Sequence, residues 1–233
     1  MWQADAAQLA QLDPAFRRNL INCLPGYKPL HLMGTQNSAG VTNLALFSQL
    51  IHLGADPPLV GILFRPHTVK RDSLENILET GVFTLNHVRT DAYVQAHWTS
   101  ASWEESEFAA TGFTEEYKAG VQAPFVQGSP VQLACSLVET QTLEINQTIL
   151  LIAKIEQVFV DEKGLREDGS LDLNAMGVAT VSGLDEYHSG QSLGLVTINI
   201  SGWGSLCSRL HEEAVAGADI LFLQEREIVD SSS

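Results

Sequence analysis

The stretch Gly40 to Val88, GVTNLALFSQLIHLGADPPLVGILFRPHTVKRDSLENILETGVFTLNHV, is the part of the chain around which the rest is organised. Its apolar run Leu59-Val60-Gly61-Ile62-Leu63-Phe64 stops at Arg65-Pro66. That is too short for an ordinary helix and ends at a proline, so it reads as a strand. After a polar loop, Asp72 is placed to cap a helix, with Glu75 three residues on giving a capping-box-like start. Gly81 supplies the left-handed residue that helix ends favour. The order is strand, loop, short helix, strand.

The first turn of that helix leaves backbone N–H groups free at the positive end of the dipole, with Thr68, Lys70, Arg71 and Ser73 beside it. An anion such as a phosphate fits there. On spacing alone, a solvated charge and a plain helix cap describe these residues better, because capped helices far outnumber phosphate sites. The strand Val41 to Gln49 sets polar Thr42, Asn43 and Ser48 among Leu44, Ala45, Leu46 and Phe47. A flat heterocycle needs hydrogen bonds along one edge and an apolar surface against its face, which such a strand can offer. A strand with internally satisfied polar residues fits equally well.

Outward from this unit, Trp2 to Leu24 reads as a helical lead-in with Pro14 at a break or a first turn, and Pro25-Gly26-Tyr27 as a turn. Leu30 to Met33 reads as a short strand, and Asp91 to Thr111 as helices holding Trp98, Trp103 and Phe108. Val131 to Thr140 and Glu144 to Val160 have the apolar continuity of central strands in an antiparallel barrel. Beyond His188 the pattern changes. Leu193 to Ile200 alternates like a strand, Ser205 to Ala216 has helical spacing, and Ser231 to Ser233 reads as disordered.

With 28 acidic and 13 basic residues the formal charge is -15, which argues against nucleic acid or an anionic membrane surface as a partner. The basic pair Lys70-Arg71 stands out against that background. Cys23, Cys135 and Cys207 give neither a disulfide framework nor a CxxC pair, and read as small buried hydrophobes, with room for one of them to be exposed. The seven histidines lack HxH or HExxH spacing, so no metal site is expected. No GxGxxG follows a strand, and no GxSxG supports a hydrolase triad. The start of the chain has no basic segment leading into an apolar core, and no apolar run reaches membrane-spanning length. A cytoplasmic protein is the expectation.

Taken together, Thr42-Asn43-Leu44-Ala45 with Ser48, Gly61-Ile62 to Arg65-Pro66, Arg71-Asp72-Ser73, Asn76-Ile77, Thr80-Gly81 and Phe83-Thr84-Leu85-Asn86 resemble the flavin reductase-like family of FMN-binding split barrels. Looser likeness runs through Glu107-Phe108, Thr111-Gly112, Cys135-Ser136-Leu137 and Asp168-Gly169 to Gly183-Leu184-Asp185-Glu186-Tyr187. The resemblance implies a β-rich α+β fold, a six-stranded antiparallel split β-barrel of Greek-key type with flanking helices. It implies FMN as cofactor, held by Thr42, Asn43, Leu44, Ala45, Ser48, Arg65, Thr68, Arg71, Asp72 and Ser73. In this reading Ser73 and Arg71 meet the phosphate, and Asp72 is a cap or an acceptor for ribityl hydroxyls. It further implies a homodimer and an oxidoreductase that moves electrons from NADH or NADPH, entering an open cleft over the flavin, to an acceptor; a flavoredoxin-like electron carrier is the alternative. His188 lies where family members approach the flavin. The split-barrel domain is expected over 1–188, with 189–233 a divergent, partly disordered appendage.

Overall fold

The computed structural model describes residues 1–68 and 70–191, which fall within one compact unit. In chain order its elements are α1 (Ala6–Gln11), α2 (Pro14–Cys23), β1 (Lys28–Pro29), β2 (His31–Gln36), β3 (Thr42–Phe47), β4 (Leu50–Ala55), β5 (Pro58–Phe64), α3 (Asp72–Thr80), β6 (Val82–His87), α4 (Tyr93–Trp98), α5 (Glu107–Thr111), β7 (Glu115–Glu116), β8 (Phe125–Val126), β9 (Val131–Thr142), β10 (Ile149–Val160), a 3-10 turn at Glu162–Gly164, β11 (Ala179–Ser182) and β12 (Glu186–Ser189). The fold is β-rich α+β. The expected tail strand, tail helix and disordered end lie outside the described residues.

Seven strands, not six, form the large sheet, in the order β3-β2-β6-β9-β10-β5-β4 with every pairing antiparallel. The added strand is β4, whose side chains face mostly outward, so that Ile51, His52 and Leu53 give no alternation to read. The sheet is not closed. Its edge strands β3 and β4 are joined by Ser48 and Gln49 yet share no ladder. Register shifts in the β9–β10 pair, at Ile152/Ala153 and Ile155/Gln157, bend the long hairpin as bulges do.

Alternate residues of the sheet face two cores. Met33, Ile62, Phe83, Leu85 and Leu151 pack with Leu74 and Ile77 of α3. Leu32, Leu44 and Val88 pack with Ala96, Phe108 and residues of a small sheet, β1-β11-β12. α3 buries Leu74 and Ile77, which lie three apart and so share one face. Gly81 ends it at φ 75°, as expected. The expected Asp72 cap is not made: Arg71 occupies the N-cap with extended backbone and no side chain caps it. Asp72 is the first helical residue, one place too late, and its carboxylate pairs with Lys70 at 2.6 Å.

Three buried amide and hydroxyl groups tie these layers together. Asn76 Nδ2 donates to Thr35 Oγ1 at 3.1 Å, linking α3 to β2. Asn86 Nδ2 donates to Leu32 O and Thr84 Oγ1, both at 3.0 Å, while its Oδ1 accepts from Val126 N at 3.0 Å. Thr84 Oγ1 donates to Pro124 O at 2.6 Å, under Gly34, whose missing side chain leaves room for that carbonyl. The loop before β9 is thereby locked against the sheet.

Candidate functional site

The ten residues expected to hold a cofactor separate into three places. Asn43 and Ser73 meet: Asn43 Nδ2 donates to Ser73 Oγ at 2.8 Å, with both residues buried. The Ser73 hydroxyl accepts that bond and keeps its own proton to donate. Beside it at the N-terminus of α3, Arg71 holds its Nε buried and, among the described residues, without a hydrogen-bond partner. A buried unsatisfied guanidinium N–H costs about 1–3 kcal/mol, so its presence calls for an acceptor. Thr68 is exposed on the approach loop, and its N–H donates to Pro66 O at 2.9 Å. Ala45, two residues along β3 from Asn43, shares its side of the sheet.

Thr42 and Leu44 turn the other way. Thr42 Oγ1 donates to Glu115 Oε1 at 2.6 Å and lies 3.2 Å from Ser106 Oγ. Leu44 is wholly buried, and its backbone N–H, on the free edge of β3, donates to Glu107 Oε2 at 3.1 Å. These groups are spent on holding α5 and the segment after it to the sheet edge.

Ser48 and Arg65 lie in a third place, a cleft of about 340 Å³ between the end of β3, the end of β5 and the small sheet. Leu46, Ser100 and Tyr187 also line it. So does Lys28, which sequence reasoning missed. Lys28 is 6% exposed, and its Nζ donates to Gly183 O at 2.5 Å and to Asn22 O at 3.4 Å. Burial lowers its pKa from the ordinary lysine value; nearby Cys23 opposes this and Arg65 adds to it. The one signal for it in the sequence is a lysine, rare in so acidic a chain, immediately before an apolar strand. Tyr187 OH shares a 2.7 Å hydrogen bond with His97 Nδ1, and its pKa is raised, chiefly by burial. His188 lies against the Tyr27 ring and shares a 2.8 Å bond with Ser182 Oγ.

Among the described residues, no three His, Cys, Asp or Glu side chains gather as a metal site, and no helix is long and apolar enough to cross a membrane.

The chain is 42% identical to a split-barrel protein from Shewanella frigidimarina NCIMB 400 assigned to the flavin reductases, with a TM-score of 0.82, covering 85% of this chain and 100% of that one. The YwrF protein of Bacillus subtilis is 30% identical over 144 residues, 58% of this chain and 70% of its own length. Flavoredoxin of Desulfovibrio vulgaris (Miyazaki F) is 25% identical with a TM-score of 0.62, over 77% of this chain and 93% of that one. The family model described as flavin reductase like domain matches residues 27–176, a span that runs from the small sheet's first strand through both arms of the β9–β10 hairpin. Most of the chain therefore answers to one family description, and the protein belongs to the flavin reductase-like domain family.

Proposed function

We propose that this protein is an FMN-binding oxidoreductase, taking electrons from NADH or NADPH and passing them to an acceptor. The observation that carries this reading is the unpartnered, buried Nε of Arg71 beside the Ser73 hydroxyl at the N-terminus of a nine-residue helix. A phosphate satisfies all three donors at once: guanidinium, hydroxyl and free helix N–H groups. Thr68 closes over it from the approach loop, and the Lys70–Asp72 pair cancels the carboxylate that would otherwise repel it. Asp72 is also placed to accept from ribityl hydroxyls. Asn43 and Ala45 supply an amide and a small side chain next to the phosphate, with Ser48 and Arg65 at the cleft beyond. Thr42 and Leu44 contribute by fixing the edge of β3. Bound FMN supplies the hydride-accepting chemistry, and the residues of the chain bind, orient and shield it.

Charge-assisted hydrogen bonds contribute about 1.5–3 kcal/mol each. Arg71→Ala combined with Ser73→Ala is therefore expected to weaken FMN at least tenfold and leave riboflavin binding nearly unchanged. Equal loss for both ligands moves the phosphate elsewhere. Steady-state oxidation of NADH and NADPH by the FMN-loaded protein then separates a reductase from an electron carrier, the reading that likeness to flavoredoxin favours. A yellow protein that oxidises neither nucleotide is a carrier.

The protein acts as a cytoplasmic homodimer in this reading. Ile51 and Leu53 of β4, Val138 of β9 and Ile145 in the turn after it are exposed, and a partner would cover them. Sedimentation at micromolar concentration should give twice the chain mass; a monomer that still holds FMN removes the dimer from the mechanism.

A further inference from the structure

We propose that the cleft between Lys28, Arg65 and Tyr187 is a second anion site, which receives the phosphate or carboxylate of the small molecule that exchanges electrons with the flavin. The redox role of that molecule rests on the flavin reading. The anion site does not.

Charge is the first ground. The chain carries 28 acidic residues against 13 basic ones, yet the cleft is lined by two cations and no Asp or Glu. Lys28 and Arg65, like Arg17, Arg18 and Arg71, form no ion pair among the described residues, whereas Lys70, Arg89, Lys118, Lys154, Lys163 and Arg166 do. Lys28 is almost wholly buried as a residue and its ammonium is partly desolvated, a cost that an approaching opposite charge offsets. The carbonyls of Gly183 and Asn22 take two of its three protons and aim the group without neutralising it.

Geometry is the second ground. Gly183, at φ 59° in the turn between β11 and β12, brings its carbonyl onto Lys28 Nζ. A Cβ there would come within 2.9 Å of Cys23 Sγ, so the contact depends on glycine. Leu30, Leu46 and Leu63 give the cleft apolar lining, and Tyr187, hydrogen-bonded to His97, adds an aromatic residue to it. An organic anion with a flat or apolar body suits such a lining better than a bare ion. None of Thr68, Arg71, Asp72 and Ser73 lines this cleft, so it is separate from the phosphate position at α3.

Calorimetric titration of the full chain with NADP+, inorganic phosphate, benzoate and the neutral analogue benzamide tests the site. At least one anion should bind, with affinity falling as sodium chloride is added. Lys28→Gln should weaken that anion tenfold or more, Lys28→Arg should restore it to within threefold, and FMN affinity should change less than twofold. NADP+ and phosphate binding without benzoate identifies the phosphate of a nucleotide as the source; benzoate binding identifies a carboxylate acceptor. Binding of no anion, or of benzamide as tightly as benzoate, overturns the proposal. So does a tenfold loss of FMN with riboflavin unchanged in Lys28→Gln, because the cleft would then hold the flavin's own phosphate. Should Lys28→Gln fail to fold, the exposed Arg65→Gln must weaken the anion at least threefold, and unchanged affinity overturns the site. Anion binding by a protein that never binds FMN would leave the site standing and remove the flavin reading.

Discussion

Asn86 and Arg71 are polar residues of the same motif-rich stretch, and the protein treats them in opposite ways. Asn86 is fully buried and has its amide donors and its acceptor taken by Leu32, Thr84 and Val126. Arg71 holds a buried Nε for which the described residues provide no partner. Both belong to the residues that carry the family likeness, so sequence resemblance does not separate them. Satisfaction of hydrogen bonds does: a closed set of partners marks architecture, and an open one marks a place for a ligand.

The sharpest test of that contrast is Asn86→Ala. It strips the partner from Val126 N inside the core, an orphaned donor that costs about 1–3 kcal/mol, and removes the side-chain bonds to Leu32 O and Thr84 Oγ1. A loss of about 1–3 kcal/mol in urea unfolding is expected by the same reckoning. A loss under about 1 kcal/mol would mean that the network is dispensable and the contrast empty.

His31 and His87 are the intermediate case, with rings 4.5 Å apart and Nδ1 atoms buried and unpartnered. Burial lowers both pKa values, that of His87 to about 4, and the neighbouring ring lowers His31 further. The folded protein thus keeps both neutral while the unfolded chain takes up protons below about pH 6.5. Stability should fall as pH drops from about 6.5 towards 4, and His87 alone accounts for about 3 kcal/mol of the loss once both states are protonated. Urea melts at pH 7.5, 5.5 and 4.5 measure this, and His87→Phe should flatten the slope. An unchanged slope would remove His87 as its cause.

The smallest effect is the most diagnostic. Arg71→Met removes an unsatisfied donor and keeps the stem, so stability should stay within about 0.5 kcal/mol of the parent or rise. A melting temperature lowered by several degrees would show that Arg71 is structural and align it with Asn86.

Much of this was legible because local rules and burial agree. Leu59 to Phe64 became β5, Gly81 ended α3, and Val131 to Val160 became the long hairpin. β4 was hidden because a strand whose side chains lie mostly on the surface lacks the alternation that betrays the others. The Asp72 cap failed by one residue, a shift that spacing cannot resolve when Lys70 competes for the carboxylate. Asn43 and Ser73 were each named, but their contact joins residues 30 apart and needed the fold to appear. Lys28 was missed for the same reason: its chemistry comes from Gly183, 155 residues away.

The two edges of the large sheet meet at Ser48 and Gln49, joined by chain and not by a ladder. Closing so short a loop costs little entropy, so a covalent tether does there what hydrogen bonds do between the other strands. Leu46 and Ser48 lie at that seam, and with Arg65 at the end of β5 they also line the cleft. Descendants of this chain can therefore retune what the cleft admits by changing single residues at the seam, without dismantling any strand pairing.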